Sequence, residues 1–118
     1  MIYEYKAKLS RVVDGDTLYM VVDLGFRVTM ELDFRLEGLN APEVVGATRT
    51  AGLAAKSELE RLLSLGSLRV VTTKSDKYGR WLATVFVDLP DGNTLNVNQV
   101  LLNEGFAKPY SGVGPKPE

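Results

Sequence analysis

Residues 28–37 alternate apolar and polar side chains without a break, and this pattern limits the folds open to the chain more than any other. The apolar positions are Val28, Met30, Leu32, Phe34 and Leu36. Successive side chains of a strand point to opposite faces, so this period of two predicts a strand with one apolar face. Arg35 has the other parity, and we expect it on the face away from the core.

The same reasoning predicts four further strands, over residues 3–10, 18–23, 68–73 and 81–89. Asp14-Gly15-Asp16-Thr17 separates the first two and is typical of a tight turn, because Asp and Gly supply the backbone angles that such turns need. Leu24-Gly25 predicts a second turn. Trp81, at the start of the last strand, is expected in the core.

Two helices are predicted among these strands. Ala55, Leu59, Leu62 and Leu63 have helical spacing and indicate an amphipathic helix over residues 51–65, with Gly66 as its stop. Asn96 and Gln99 resemble a capping box, in which each side chain bonds the backbone of the other, and they predict a short second helix.

The order of these elements predicts an α+β fold, a β-barrel with helices. We expect a five-stranded OB-fold in the chain order β1-β2-β3-α1-β4-β5-α2. An open β-sheet with helices on one face is the alternative. The length of 118 residues fits one domain, assigned to residues 1–110, and residues 111–118 are predicted to form a flexible C-terminal tail because they are rich in Gly and Pro.

The composition removes several classes of chemistry. The chain has no Cys and no His, which excludes thiol catalysis, structural zinc sites, Ser/His/Asp triads and imidazole bases. Any proton transfer must fall to carboxylates. Fourteen Lys and Arg against fifteen Asp and Glu give a net charge of −1, which disfavours a passive high-affinity nucleic-acid binder more than an enzyme that releases its product.

The sequence also bears on location. No apolar run approaches the ~20 residues of a membrane span, and the first residues alternate in polarity instead of forming the apolar stretch of a signal peptide. We therefore expect a cytoplasmic protein, while a leader removed earlier would leave no trace in this chain. We also expect a monomer.

The stretch from Arg35 to Glu43 is a candidate catalytic segment. Gly38 and Pro42 break regular structure, so the chain can turn and aim both side chains into one cleft. Asn40 offers an amide oxygen and Ala41 a backbone carbonyl, both acceptable to calcium. The alternative for Glu43 is a structural role, in which its carboxylate stabilises the first turn of a helix.

Two other segments offer groups for the same chemistry. Asp16 presents a hard carboxylate oxygen to a divalent cation, unless its motif serves only as a hairpin turn. The loop before the fifth strand carries Lys77, Tyr78 and Arg80, which can contact phosphates or a base, or else form a polar turn.

Four motifs occur together in one order: Asp14-Gly15-Asp16-Thr17, Arg35 to Glu43, Asp76-Lys77-Tyr78-Gly79-Arg80 and Asn103-Glu104-Gly105-Phe106-Ala107-Lys108. With them the chain resembles the staphylococcal nuclease (thermonuclease) family over residues 8–108. The resemblance implies an OB-fold and an endonuclease that uses calcium to hydrolyse phosphodiester bonds of DNA and RNA with little sequence preference.

The resemblance also implies roles for individual residues. Asp16, Asn40 and the backbone carbonyl of Ala41 match metal ligands, Arg35 and Arg80 match the phosphate-binding arginines, and Glu43 matches the carboxylate that activates water. Lys77 and Tyr78 match residues that hold a neighbouring phosphate. Tyr110 is a candidate for contact with a base.

The chain departs from the family pattern at the metal ligands. Asn40 stands where the family usually has aspartate, so one anionic ligand becomes neutral, and Ala41 replaces the usual threonine. Fewer charged ligands weaken calcium binding, which leaves Mn²⁺ or Mg²⁺ as alternative cations. The rival functional hypothesis is a catalytically weak or inactive domain of the same fold that binds nucleic acid or a protein partner.

Overall fold

The computed structural model describes residues 3–75 and 79–111. Within them the strands are β1 Tyr3–Asp14, β2 Thr17–Asp23, β3 Thr29–Leu36, β4 Leu39–Asn40, β5 Ser67–Ser75, β6 Trp81–Asp88, β7 Thr94–Asn96 and β8 Lys108–Pro109. The helices are α1 Arg49–Leu63 and α2 Val97–Asn103, and a 3₁₀ turn over Gly46–Thr48 precedes α1. None of the described helices is long and apolar enough to cross a membrane.

The five long strands close into a barrel. Neighbouring strands follow the order β3-β2-β1-β5-β6, and parallel pairing of β3 with β6 joins the two ends. The prediction of a closed five-stranded barrel with two helices is confirmed, and closure contradicts the open-sheet alternative. The predicted chain order lacks the short strands β4, β7 and β8, which are two or three residues long and carry no periodic signal.

One core fills the barrel and continues under α1. The inward side chains of the strands include Leu18, Phe34 and Val85, which are all but fully buried. The predicted apolar face of α1 joins the same core through its buried residues Ala55, Leu59, Leu62 and Leu63. Burial of this face fixes α1 against β1, next to the turn that carries Asp16.

The hairpin between β2 and β3 extends beyond the packed core. Val28 and Met30 share the apolar parity of β3, yet they are 51% and 53% exposed. Phe26 at the tip is fully exposed, and it adopts a positive φ of 54°. Trp81, expected in the core, is 40% exposed because it is the first residue of its strand. Residues 112–118 of the predicted tail lie outside the described residues.

The predicted capping box at α2 forms only in part. The side chain of Asn96 accepts a hydrogen bond from the backbone N–H of Gln99, as expected. The Gln99 side chain instead donates to Asn103 Oδ1, one turn further along the helix. After α2, Gly105 has a φ of 78°, consistent with a glycine stop.

Asn98 ties α2 to the barrel, and we expect Asn98→Ala to destabilise the protein by about 2–4 kcal/mol. Its buried amide accepts from Val85 N at 3.1 Å and donates to the carbonyls of Glu37 and Ala83 at 3.0 and 2.9 Å. Urea unfolding measures the loss, with the exposed Asn103→Ala as control. A loss below about 1 kcal/mol would contradict the assigned role of Asn98.

Candidate active site

The turn between β1 and β2 places Asp16 at the base of a cleft. The backbone N–H of Asp16 donates to Asp14 Oδ1 at 3.1 Å, a local bond that shapes the turn. A methyl group added at Gly15 would lie 2.7 Å from Ala55 Cβ and 2.8 Å from Ala41 Cβ. Glycine is therefore required for the turn to fit between α1 and the segment that follows β4.

The Asp16 carboxylate is buried, and both of its oxygen atoms have protein partners. Its Oδ1 accepts from Thr17 Oγ1 at 3.0 Å, and its Oδ2 accepts from Ala41 N at 2.9 Å and lies 3.2 Å from Arg35 Nη1. Burial alone would raise the pKa of Asp16, but hydrogen bonds and the Arg35 charge outweigh it and lower the pKa. Asp16 is thus held as a carboxylate.

Arg35 lies at the end of β3 and is only 8% exposed. The expected parity is correct, because Phe34 and Leu36 occupy the barrel core on either side of it. Its outer face is covered all the same, since Nη2 donates to Leu39 O at 3.2 Å and to Asn40 Oδ1 at 3.3 Å. The Tyr110 ring centroid lies 5.9 Å from its guanidinium carbon. These contacts fix the Arg35 side chain at the edge of the cleft.

A two-stranded sheet outside the barrel places Asn40. In it β4 pairs antiparallel with β8, and Asn40 lies opposite Lys108. The backbone N–H of Tyr110 also donates to Gly38 O at 3.0 Å. The C-terminal motif therefore acts on the site through backbone pairing, which holds the segment bearing Asn40 and Ala41 over Asp16.

The cleft, of about 940 Å³, brings together most of the predicted site residues. Those lining it are Asp16, Arg35, Asn40, Ala41, Glu43 and Arg80. Arg80 Nη1 donates to Thr17 Oγ1 at 3.5 Å, and Glu43 is exposed at the cleft wall. Tyr110 does not line the cleft but reaches Arg35, whereas Lys77 and Tyr78 lie outside the described residues.

The oxygen atoms at the base of the cleft suit a hard divalent cation. Asp14 and Asp16 supply carboxylates, and Asn40 supplies an amide oxygen. Burial, followed by the hydrogen bond and charge of Asp16, raises the pKa of Asp14 to about 7. Among the described residues no group of three or more acidic, His or Cys side chains is arranged to hold a metal. The oxygen donors are of the type that a hard divalent cation takes, but only the two aspartates among them can carry a charge.

Sequence reasoning did not single out several other residues at the cleft. Thr48 and Lys108 line it, as does Asp14, whose sequence context predicts only a turn. Asp14 is the last residue of β1, which continues four residues past the predicted end at residue 10. The alternation of polarity stops at residue 10 and therefore does not predict this extension. Thr48 reaches the cleft because its segment packs against the segment that carries Glu43. The local sequence carries no signal for such a contact.

The chain is similar in sequence to several known proteins. Residues 33–118 match the model of a family described as staphylococcal nuclease homologue. A micrococcal nuclease of Shigella flexneri is 30% identical over 115 residues, which cover 94% of this chain and 62% of that protein.

Two other relatives have names that do not mention a nuclease. An uncharacterized protein of Methanocaldococcus jannaschii is 32% identical over 90% of this chain and 59% of its own length. Protein ParB of Escherichia coli is 28% identical over 91% of this chain and 58% of its own length. The chain thus spans about three fifths of the length of these curated relatives.

Proposed function

Because this chain belongs to the family of staphylococcal nuclease homologues, we propose that it hydrolyses phosphodiester bonds of DNA or RNA with little sequence preference. The observation that carries the proposal is the meeting of Asp16, Arg35, Glu43 and Arg80 in one open cleft. A phosphodiesterase needs cations that bind the phosphate and a group that activates water, and the arginines and carboxylates that line this cleft are suited to those roles.

Arg35 and Arg80 are proposed to bind the scissile phosphate. A guanidinium has five N–H donors in a fixed plane and can grip two phosphate oxygens at once. Bonds to Leu39 O and Asn40 Oδ1 hold Arg35, and the Thr17 hydroxyl contacts Arg80. The Arg35 guanidinium is therefore positioned before substrate arrives, and both arginines are proposed to stabilise the charge that builds on the phosphate during attack.

Glu43 is proposed as the general base. Its exposed carboxylate can take a proton from a water molecule as the water oxygen attacks phosphorus and the bond to the leaving oxygen breaks. The chain has no histidine, and among the residues that line the cleft an exposed carboxylate is the group best suited to accept this proton. Asp16 is less suited to this role, because its carboxylate is buried and its lowered pKa makes it a weaker base.

We propose that Asp16, Asn40 and the Ala41 carbonyl, with Asp14 beside them, hold a calcium ion. A divalent cation there would polarise the phosphate and the attacking water. Because Asn40 is neutral, Mn²⁺ or Mg²⁺ remain alternative cations.

Asn40→Asp should tighten calcium binding by about tenfold, because calcium affinity rises with the charge of its ligands. Titration calorimetry measures the change, and Asn103→Asp adds the same charge at an exposed position outside the cleft as control. An unchanged or weaker affinity for Asn40→Asp would show that Asn40 does not ligate the cation.

The second candidate is a domain that binds nucleic acid or a protein partner without cleaving nucleic acid. The neutral Asn40 favours it, because one charged ligand of the proposed cation is missing. Binding and cleavage of a labelled single-stranded DNA, measured in calcium and again with a chelator, separate the two. Calcium-stimulated cleavage that chelation abolishes supports the nuclease, whereas binding with intact DNA supports the second candidate.

A further inference from the structure

The segment that carries Glu43 has no helix or strand of its own. Residues 41–45 connect β4 to the 3₁₀ turn, and the Glu43 side chain is exposed. Because the Glu43 side chain is exposed, packing in the core does not fix its position. The place of the carboxylate in the cleft must therefore be set by contacts of the Glu43 backbone with neighbouring structure.

Thr48 supplies one of these contacts. It occupies the N-cap position of α1, where a Thr hydroxyl ordinarily accepts a bond from a helix N–H. Here the side chain makes no capping bond. Its Oγ1 donates backwards instead, to Glu43 O at 2.9 Å, and lies 3.4 Å from Val45 O. The hydroxyl thus serves the Glu43 segment and not the helix.

Gly52 supplies the other contact, from the first turns of α1. A methyl group added there would lie 2.5 Å from the carbonyl carbon of Glu43, 2.8 Å from Val44 N, and closer still to Glu43 O. These are backbone atoms that cannot swing aside as a side chain can. Glycine is a poor residue inside a helix, so its presence here fits the close approach of the two backbones.

We propose that Thr48 and Gly52 form a backbone clamp that positions Glu43 for proton transfer. Thr48 holds the Glu43 carbonyl by a hydrogen bond, and Gly52 leaves the space into which that carbonyl fits. This inference rests on the proposed function, since the rate depends on the place of Glu43 only if Glu43 activates water. Both are positioning residues, because they act through Glu43.

The Thr48 arm of the clamp is tested with a pair of variants. Thr48→Val keeps the shape and removes the donor, and it should lower kcat by about tenfold or more. KM and calcium affinity should stay within about twofold, because the phosphate-binding and cation-binding groups are untouched. Thr48→Ser keeps the donor and should restore most of the rate. Thr50→Val, the same change at an exposed position of α1, is the control.

The Gly52 arm is tested by Gly52→Ala, read by crystallography as well as kinetics. The Glu43 backbone should move by about 1 Å, because close-packed backbone atoms do not tolerate the overlap, and kcat should fall by about a hundredfold. Ser57→Ala, at an exposed position of the same helix, should change neither. Thermal unfolding of each variant checks that it folds.

The outcomes separate the clamp from the proposed function. Inactive wild-type protein would refute the nuclease and, with it, the part of the clamp in proton transfer. An unmoved Glu43 backbone in the crystal structure of Gly52→Ala would overturn the positioning itself, whatever the activity. With active wild-type protein, wild-type rates in Thr48→Val and Gly52→Ala overturn the clamp alone. Equal losses in Thr48→Ser and Thr48→Val would also overturn it, since the hydroxyl would then have no role.

Discussion

Glu43→Gln is expected to lower the rate of phosphodiester cleavage by about 10²–10⁴-fold, the usual contribution of a general base. The substitution keeps the shape of the side chain and removes its ability to take a proton from water. Because Glu43 is exposed, the free energy of unfolding should stay within about 0.5 kcal/mol of wild type. Single-turnover cleavage of a labelled oligonucleotide measures the chemical step separately from product release.

The control for this variant is Glu60→Gln, which removes the same charge from an exposed position of α1. It should cleave at the wild-type rate. Substrate affinity, measured in parallel, should change little in either variant, since neither removes a phosphate-binding cation. A rate for Glu43→Gln within about threefold of wild type would show that another group activates the water.

Arg80→Ala is expected to lower the cleavage rate by about 10²–10³-fold, as removal of a donor to a developing oxyanion commonly does. Arg80 lines the cleft beside Thr17 and is only partly buried, so the fold should survive its removal. Arg80→Lys should recover little of the rate, because an ammonium cannot make two parallel bonds to a phosphate.

Arg27→Ala, on the exposed hairpin between β2 and β3, provides the matched control for charge. If the role of Arg80 were only long-range attraction, both variants would lose affinity to a similar and salt-dependent extent. The proposal instead requires that Arg80→Ala lose mainly kcat, with Arg27→Ala near wild type. Recovery of the full rate in Arg80→Lys would contradict a bidentate role.

The barrel was predictable because its strands follow simple rules. The alternation around Phe34 and Leu36 gave the inner face of β3, and the helical spacing of Ala55 and Leu59 gave the face of α1 that joins the core. Each pattern arises because one face of the strand or helix is buried, and the period of the apolar residues shows which face that is. Chain order and strand number then left few arrangements, of which the closed barrel is the one observed.

The same periodicity could not show that Arg35 is buried. Its parity placed it away from the barrel core, but the covering comes from Leu39, Asn40 and Tyr110, which belong to other segments. The pairing of β4 with β8 involves only two residues on each strand, too few for a period to be visible. Such contacts between short segments follow from the finished fold and not from local sequence.

The approach of Gly52 to Glu43 was hidden for a related reason. A glycine in a helical pattern reads as a weak position in the helix, and only the structure shows a second backbone lying against it. For Asn40, in contrast, the sequence did predict a role, as a candidate metal ligand. The geometry adds that its amide oxygen accepts a hydrogen bond from Arg35, which links Asn40 to one of the proposed phosphate-binding groups.

The central claim is that this cleft hydrolyses nucleic acid, and it is tested most directly by incubating purified protein with end-labelled single-stranded DNA and RNA across millimolar calcium, manganese and magnesium. Glu43→Gln protein purified in the same way controls for contaminating nucleases. The account predicts that wild-type protein cleaves with calcium, that chelation stops cleavage, and that the variant cleaves at least about a hundredfold more slowly. Intact DNA and RNA with all three metals, or equal cleavage by both proteins, would contradict it.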